Sequence, residues 1–182
     1  MIVGIAGYAG SGKDTAAAAL VALGWRKDSL AAPLKAMALD LNPWIRIPNS
    51  REGEEPVFTT LQGLFNVCGR DWEKAKRYEG VREFLQRLGT EGVRKHLGEN
   101  AWVEALLNRN SDHEIDTVVA DVRFPNEALI FDRLLIVIRP GVGPVNDHPS
   151  DAGLPHSFAT HIILNDGSIE ELHEKVRKAV NV

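Results

Sequence analysis

The nine residues Gly7-Tyr8-Ala9-Gly10-Ser11-Gly12-Lys13-Asp14-Thr15 hold the densest chemistry in the chain. Closely spaced glycines let successive backbone N–H groups turn inward as an anion nest, and a helix starting there adds the partial positive charge of its N-terminus. Lys13 would then reach the β- and γ-phosphates of a nucleotide. The spacing fits the phosphate-loop pattern GxxxxGK[ST] except at its last place, where Asp14 replaces Ser or Thr. A carboxylate beside a triphosphate is repulsive unless a cation lies between them. Asp14 is therefore a candidate for Mg2+, directly or through water, and Thr15 could supply the hydroxyl instead. The bland alternative is a glycine-rich turn with an incidental lysine.

Transfer of a phosphoryl group to a small phosphorylated acceptor needs a second set of cations. Lys35 lies early in a helix, in Ala32-Pro33-Leu34-Lys35. Arg82, Gln86, Thr90 and Arg94 recur every four residues, so they share one face if a helix continues through Gly89. A plain solvated face more often mixes Glu and Lys, as Glu83, Arg87 and Glu91 do nearby. The run Val118-Val119-Ala120-Asp121 ends an apolar strand on a carboxylate, which could hold a magnesium-bound water at the C-terminal edge of a sheet. Arg123 follows two residues on, and an ion pair with Asp121 or Glu127 is its structural alternative. Arg139 opens a Gly- and Pro-rich stretch from Pro140 to Pro155 that suits a closing lid. His148, His156 and His161 have no metal-ligand spacing, and Cys68 reads as helix packing.

These residues need a scaffold, and the chain supplies one. Ile2 to Ala6 is a short apolar run suited to a strand buried on both faces, followed by a helix dense in alanine that stops at Gly24. A second helix is predicted from Pro33 to Leu41, ended by Asn42-Pro43, and residues 43 to 57 read as a loop. Thr59 to Asn108 reads helical with glycine interruptions, with Val81, Leu85 and Leu88 facing the core. Later strands are expected at Thr117 to Ala120, Leu134 to Ile138 and His161 to Leu164, with a short helix from Asn126. The last helix should be capped by a Ser168/Glu171 box and bury Ile169, Leu172, Val176 and Val180. Strands alternating with helices predict one α/β domain around a parallel sheet.

With 182 residues, 44% hydrophobic and 25% charged, the chain is long and apolar enough for a substantial core. A net charge of −4 argues against a general nucleic-acid or membrane-surface binder, which would need clustered Lys and Arg. One cysteine allows no internal disulfide, so a cytoplasmic setting is expected, and no stretch is long enough to span a bilayer.

Taken together, the segments resemble the deoxynucleoside monophosphate kinases of bacteriophages and their bacterial relatives, within the P-loop kinase superfamily. The resemblance runs in order through Gly7–Thr15, Ala32–Lys35, Arg82 with Leu85–Glu91, Gly98–Val103, Asp121–Ala128, Arg139-Pro140, His148-Pro149-Ser150 and Asn165–Ser168. LQRLGTE and DVRFPNEA are its most specific parts. It implies a three-layer P-loop NTPase sandwich of about five parallel strands, with a helical acceptor-binding insert at about 43–110 and a lid at about 140–158. It implies transfer of the γ-phosphoryl group of ATP to a deoxynucleoside monophosphate with Mg2+, in the host cytoplasm if phage-encoded.

By the same resemblance Ala9, Gly10, Ser11, Gly12, Lys13, Asp14 and Thr15 hold ATP, with Asn165, Asp166 and Gly167 near its adenine. Lys35, Arg82, Gln86, Thr90, Arg94, Arg123 and Glu127 would hold the acceptor. Lys13, Asp121, Arg123 and Arg139 would serve the reaction itself, and Asp14 and Asp121 the metal. The partners implied are small-molecule nucleotides, and a homodimer is compatible with the sequence. Asp151, His161 and the turn around Arg133–Leu135 depart from the family's pattern. A P-loop kinase for dephospho-coenzyme A or a ribonucleoside monophosphate is the nearest rival, and a non-catalytic ATP-binding module the more distant one.

Overall fold

A computed structural model describes residues 1–47, 55–111, 114–144 and 152–182. The chain divides into two compact units, Met1–Leu30 with Trp102–Val182, and Ala31–Ala101. In chain order the elements begin with β1 (Ile2–Ala6), α1 (Lys13–Val21) and β2 (Arg26–Asp28). Next come α2 (Ala32–Leu41), β3 (Trp44–Ile47), β4 (Val57–Thr60), α3 (Leu61–Val67), α4 (Trp72–Ala75) and α5 (Glu79–Arg87). A π-helical segment (Leu88–Arg94) runs into α6 (Lys95–Leu97) and α7 (Ala101–Arg109). The chain then closes with β5 (Thr117–Val122), α8 (Pro125–Ala128), β6 (Arg133–Ile138), β7 (His161–Leu164) and α9 (Ile169–Val180).

The first unit is built on a five-stranded sheet in the order β2-β5-β1-β6-β7, with every pairing parallel. Consecutive residues of β1, β5 and β6 are buried, and because successive side chains point to opposite faces, both faces of the sheet are covered. This is the expected α/β sandwich of a P-loop protein. Ala16, Ala17 and Ala19 of α1 have no exposed surface, and their small side chains let the helix lie close over the sheet with Leu20. Helix α9 packs against α1 and starts as expected: Ser168 Oγ accepts the Glu171 N–H at 3.2 Å, and Glu171 Oε2 accepts the Ser168 N–H at 2.8 Å. Leu172, Val176 and Val180 are buried, but Ile169 is 58% exposed, because the first position of the helix overhangs its core-facing stripe. Among the described residues no helix is long and apolar enough to cross a membrane.

Strand β2 was not expected, since Arg-Lys-Asp has no apolar residue. Its side chains complete a polar network instead. Arg26 donates to Asn110 Oδ1 at 2.6 Å, and Asp28 accepts from Asn110 Nδ2 at 2.6 Å, Ser29 N at 2.6 Å and Arg109 at 3.1 Å. Asn110 and Thr117, joined at 3.1 Å, are almost wholly buried. Burial alone would raise the Asp28 pKa; the Ser29 amide, Asn110 and the Arg109 guanidinium outweigh it and hold the carboxyl below its usual value. A depressed carboxylate stabilises the fold above its unfolded pKa of about 4, and that contribution is lost as pH falls through the lower folded value. In urea titrations at several pH values, Asp28→Asn should therefore be less stable than wild type at neutral pH. The gap should shrink below about pH 4; a gap independent of pH would mean that the Asp28 charge contributes nothing.

In the second unit the segment read as a loop at 43 to 57 contains β3 and the first residue of β4. β3 and β4 pair antiparallel, Trp44 opposite Thr60 and Ile47 opposite Val57. Pro43 and Pro56 precede the strands rather than interrupt them, so their missing N–H groups break no ladder bond. Thr59 and Thr60, read as helical, end β4, and Thr60 Oγ1 caps α3 by accepting the Gly63 N–H at 3.2 Å. Ile45 joins Ala38, Leu61, Leu64, Phe65, Ala75, Val81 and Leu85 in the unit's core, with Leu88, the first residue past α5, partly buried against it.

Candidate functional site

The phosphate loop links β1 to α1. Gly7, Gly10 and Gly12 have φ of +142°, +81° and +101°, backbone that L side chains rarely adopt. At Gly7 a Cβ would also collide with the Val137 carbonyl, so the loop's entry is tight against β6. Ser11 N donates to Tyr8 O at 3.1 Å, and Lys13 Nζ folds back onto the same oxygen at 2.7 Å. Gly12 is the N-cap of α1 in left-handed conformation, and Ala16 N–H closes the first helical bond to Gly12 O at 2.8 Å. Asp14 is exposed at the second position of that helix, and its Oδ1 holds the Lys27 ammonium of β2 at 2.7 Å. Thr15 is half-buried, and its carbonyl accepts from His173 Nε2 of α9 at 3.0 Å.

The remaining candidates of this unit follow the C-terminal ends of the neighbouring parallel strands, and so lie along the sheet edge that carries the loop. Asp121, near the end of β5, accepts from Ser29 Oγ at 2.7 Å and from the Leu30 N–H at 3.0 Å. Arg123 and Arg139 are exposed just past β5 and β6. Asn165 follows β7: its N–H extends the ladder to Ile138 O at 2.7 Å, and its side-chain amide donates to Ser11 O at 2.8 Å. Asp166 pairs with Lys175 at 2.8 Å, and that hydrogen bond holds its carboxyl below the usual range. Gly167 has Glu171 where a Cβ would stand.

Glu127, expected among the acceptor-binding groups, has a structural task. It is 3% exposed, and its Oε2 accepts the main-chain N–H groups of Arg123 at 2.7 Å and Phe124 at 3.0 Å. These two bonds clamp the backbone of Arg123. Glu127→Ala should cost about 2–4 kcal/mol, since it strips a charged acceptor from two amides. Glu127→Gln should recover part of that in chemical denaturation, and a loss below about 0.5 kcal/mol for the alanine variant would refute the clamp.

The second unit carries the other acceptor candidates. Arg82 is exposed on α5, while Gln86, Thr90 and Arg94 are half-buried. The helix does not continue regularly through Gly89: residues 88–94 form a π segment. Four residues overshoot one α-turn, whereas in a π-turn, bonded five residues apart, they fall short of one, so the change of winding keeps positions 82, 86, 90 and 94 nearer one line than a straight α-helix would. Gly89 is buried there, and a Cβ on it would stand 3.1 Å from Leu34 Cδ2 of α2. That packing sets the elements bearing Lys35 and Thr90 side by side. Arg94 is committed in part to the Glu99 carbonyl, at 2.8 Å.

Four contacts had no sequence signal: Lys27 on Asp14, Ser29 on Asp121, Asn165 on Ser11, and Tyr8 against Ala152 and Gly153. Tyr8 Oη donates to Ala152 O at 3.3 Å, and a Cβ on Gly153 would meet its ring at 2.9 Å. Of the expected lid, His148-Pro149-Ser150 and Asp151 lie outside the described residues. Among the described residues no three His, Cys, Asp or Glu side chains gather as a metal cage. Magnesium does not require one, being commonly held by one or two carboxylates together with phosphates and water.

The sequence profile of the deoxynucleotide monophosphate kinase family matches residues 54–176. A protein of Acanthamoeba polyphaga mimivirus described as a candidate deoxynucleotide monophosphate kinase is 30% identical over 193 residues, covering 100% of this chain and 96% of its own. The deoxynucleoside-5'-monophosphate kinase of Escherichia phage T5 is 27% identical over 227 residues, covering 91% and 89%. Among solved structures, a dephospho-CoA kinase from Campylobacter jejuni aligns over 99% of this chain and 95% of its own at 13% identity and a TM-score of 0.48, too loose a likeness to bear on the acceptor.

Proposed function

The chain belongs to the deoxynucleotide monophosphate kinase family, and we infer from that membership that it is a kinase transferring the γ-phosphoryl group of ATP to a deoxynucleoside 5'-monophosphate. The observation that carries the reading to particular residues is the loop after β1, where three glycines of positive φ and Lys13 form a phosphate nest at the N-terminus of α1.

In this reading residues 9–15 hold the triphosphate of ATP, with Asn165, Asp166 and Gly167 beside the nucleotide. Asp14 and Asp121 hold Mg2+; the fit is supported by Asp14 already keeping a cation, the Lys27 ammonium, against its carboxylate. When bound, Mg2+ neutralises charge on the phosphates. The unit Ala31–Ala101 serves as the acceptor-binding insert, with Lys35, Arg82, Gln86, Thr90 and Arg94 as its polar candidates. Arg123 and Arg139 supply positive charge from the sheet edge, and Glu127 keeps the backbone of Arg123 in place. Little covalent chemistry is asked of the protein: catalysis comes from orientation and from fixed charges around the transferring group. Small nucleotides are the partners, in a cytoplasmic setting.

One coupled assay tests the reading: Mg-ATP with a panel of deoxy- and ribonucleoside monophosphates and dephospho-coenzyme A, following ADP release. Turnover should appear with at least one deoxynucleoside monophosphate and exceed that on its ribose counterpart. Turnover on dephospho-coenzyme A alone, or on no acceptor, would overturn it.

A further inference from the structure

Asn165 was expected beside the adenine of ATP, but its side chain is spent on the phosphate loop. Its Nδ2 donates to the Ser11 carbonyl at 2.8 Å, joining residues 154 positions apart, and a carbonyl can only accept, which fixes the orientation of the amide. Asn165 is itself held at the end of β7 by its N–H to Ile138 O at 2.7 Å. A rigid strand end therefore grips one peptide of a loop whose glycines would otherwise leave it free to rotate.

In a trans peptide the C=O and the following N–H point in opposite directions. Drawing the Ser11 carbonyl toward Asn165 turns the Gly12 N–H away from β7. The same contact explains why position 12 must be glycine on a second count besides its φ of +101°: a Cβ there would strike the Asn165 amide. We propose that Asn165 is a positioning residue for phosphoryl transfer, fixing the Ser11–Gly12 peptide so that the Gly12 N–H faces the bound phosphates. The proposal rests on the phosphate-loop reading and goes beyond it in assigning Asn165 to the phosphates rather than the base.

The test uses the full chain and inorganic tripolyphosphate, a probe with no base, measured by calorimetry with Mg2+ alongside ATP. Asn165→Asp is nearly isosteric but sets an oxygen against the Ser11 oxygen. It should weaken tripolyphosphate and ATP by the same factor, about tenfold to a hundredfold, and by more than Asn165→Ala does. The deficit of Asn165→Asp should shrink as pH is lowered toward 5, because a protonated carboxyl can donate where the amide did. A general loss of structure would not follow that pH dependence, and thermal midpoints of both variants provide a separate check on folding. Loss of ATP affinity with tripolyphosphate binding unchanged would return Asn165 to the base and overturn the proposal, as would a deficit that does not respond to pH. If wild type itself fails to bind tripolyphosphate, the phosphate-loop reading falls with it; if wild type binds and Asn165→Asp binds equally well, only the proposal fails.

Discussion

Lys13→Ala is expected to lower turnover by at least about 10³-fold while leaving the folded state in place. The side chain springs from the first residue of α1, and its ammonium lies 2.7 Å from Tyr8 O, within the loop it would share with a triphosphate. Charge that accumulates on the transferring oxygens is met there by fixed donors, which gain most from a site with little water. The backbone of the loop is set by other means: three glycine conformations, the Ser11 N–H to Tyr8 O bond and the Asn165 brace all remain in the variant. Circular dichroism and a thermal midpoint within a few degrees of wild type should confirm this. Lys13→Arg should restore little, since a planar guanidinium does not occupy the place of a compact ammonium. Turnover near that of wild type in Lys13→Ala would sink the assignment of this loop to ATP.

The loop was legible in the sequence because its conformation is dictated by residue type: only glycine takes those φ values readily, and the apolar strand and alanine-rich helix on either side show their periods plainly. So was α9, whose cap is a local device of four residues. Strand β2 was hidden for the opposite reason. Its stability comes from Asn110 and Thr117, more than eighty positions away, and nothing in Arg-Lys-Asp announces them. The hairpin of β3 and β4 was masked by prolines that read as loop residues but stand outside the ladder. The even spacing of Arg82, Gln86, Thr90 and Arg94 was visible, yet neither the π segment that alters their alignment nor the packing of Leu34 at Gly89 is encoded in that local pattern. In the site the same division holds. Residue types brought Lys13, Asp121 and Arg123 forward as candidates, whereas the bonds of Glu127 to the Arg123 backbone and of Asn165 to Ser11 emerged only from the atoms they touch.

Arg123→Ala carries the second large expected effect, about 10²–10³-fold in turnover. Its backbone is unusually constrained for a residue just beyond a strand. Glu127 accepts its N–H and that of Phe124, and two residues earlier Asp121 is tied to Ser29 and Leu30. The side chain is exposed at the sheet edge on a backbone held from both sides, so aiming its guanidinium costs no backbone entropy. If the group meets transition-state charge, kcat should fall steeply while KM for ATP changes little, because ATP is held chiefly by the loop after β1. Arg123→Lys keeps the charge but loses the planar fork, so it should recover only part of the rate. Both substitutions leave in place the two Glu127 bonds to main-chain N–H groups, so a loss of turnover with the thermal midpoint within a few degrees of wild type is the expected pattern. The opposite pattern, with kcat intact and the midpoint clearly lowered, would reassign Arg123 to holding the turn between β5 and α8 and leave the positive charge at the reacting phosphate to Lys13 and Arg139.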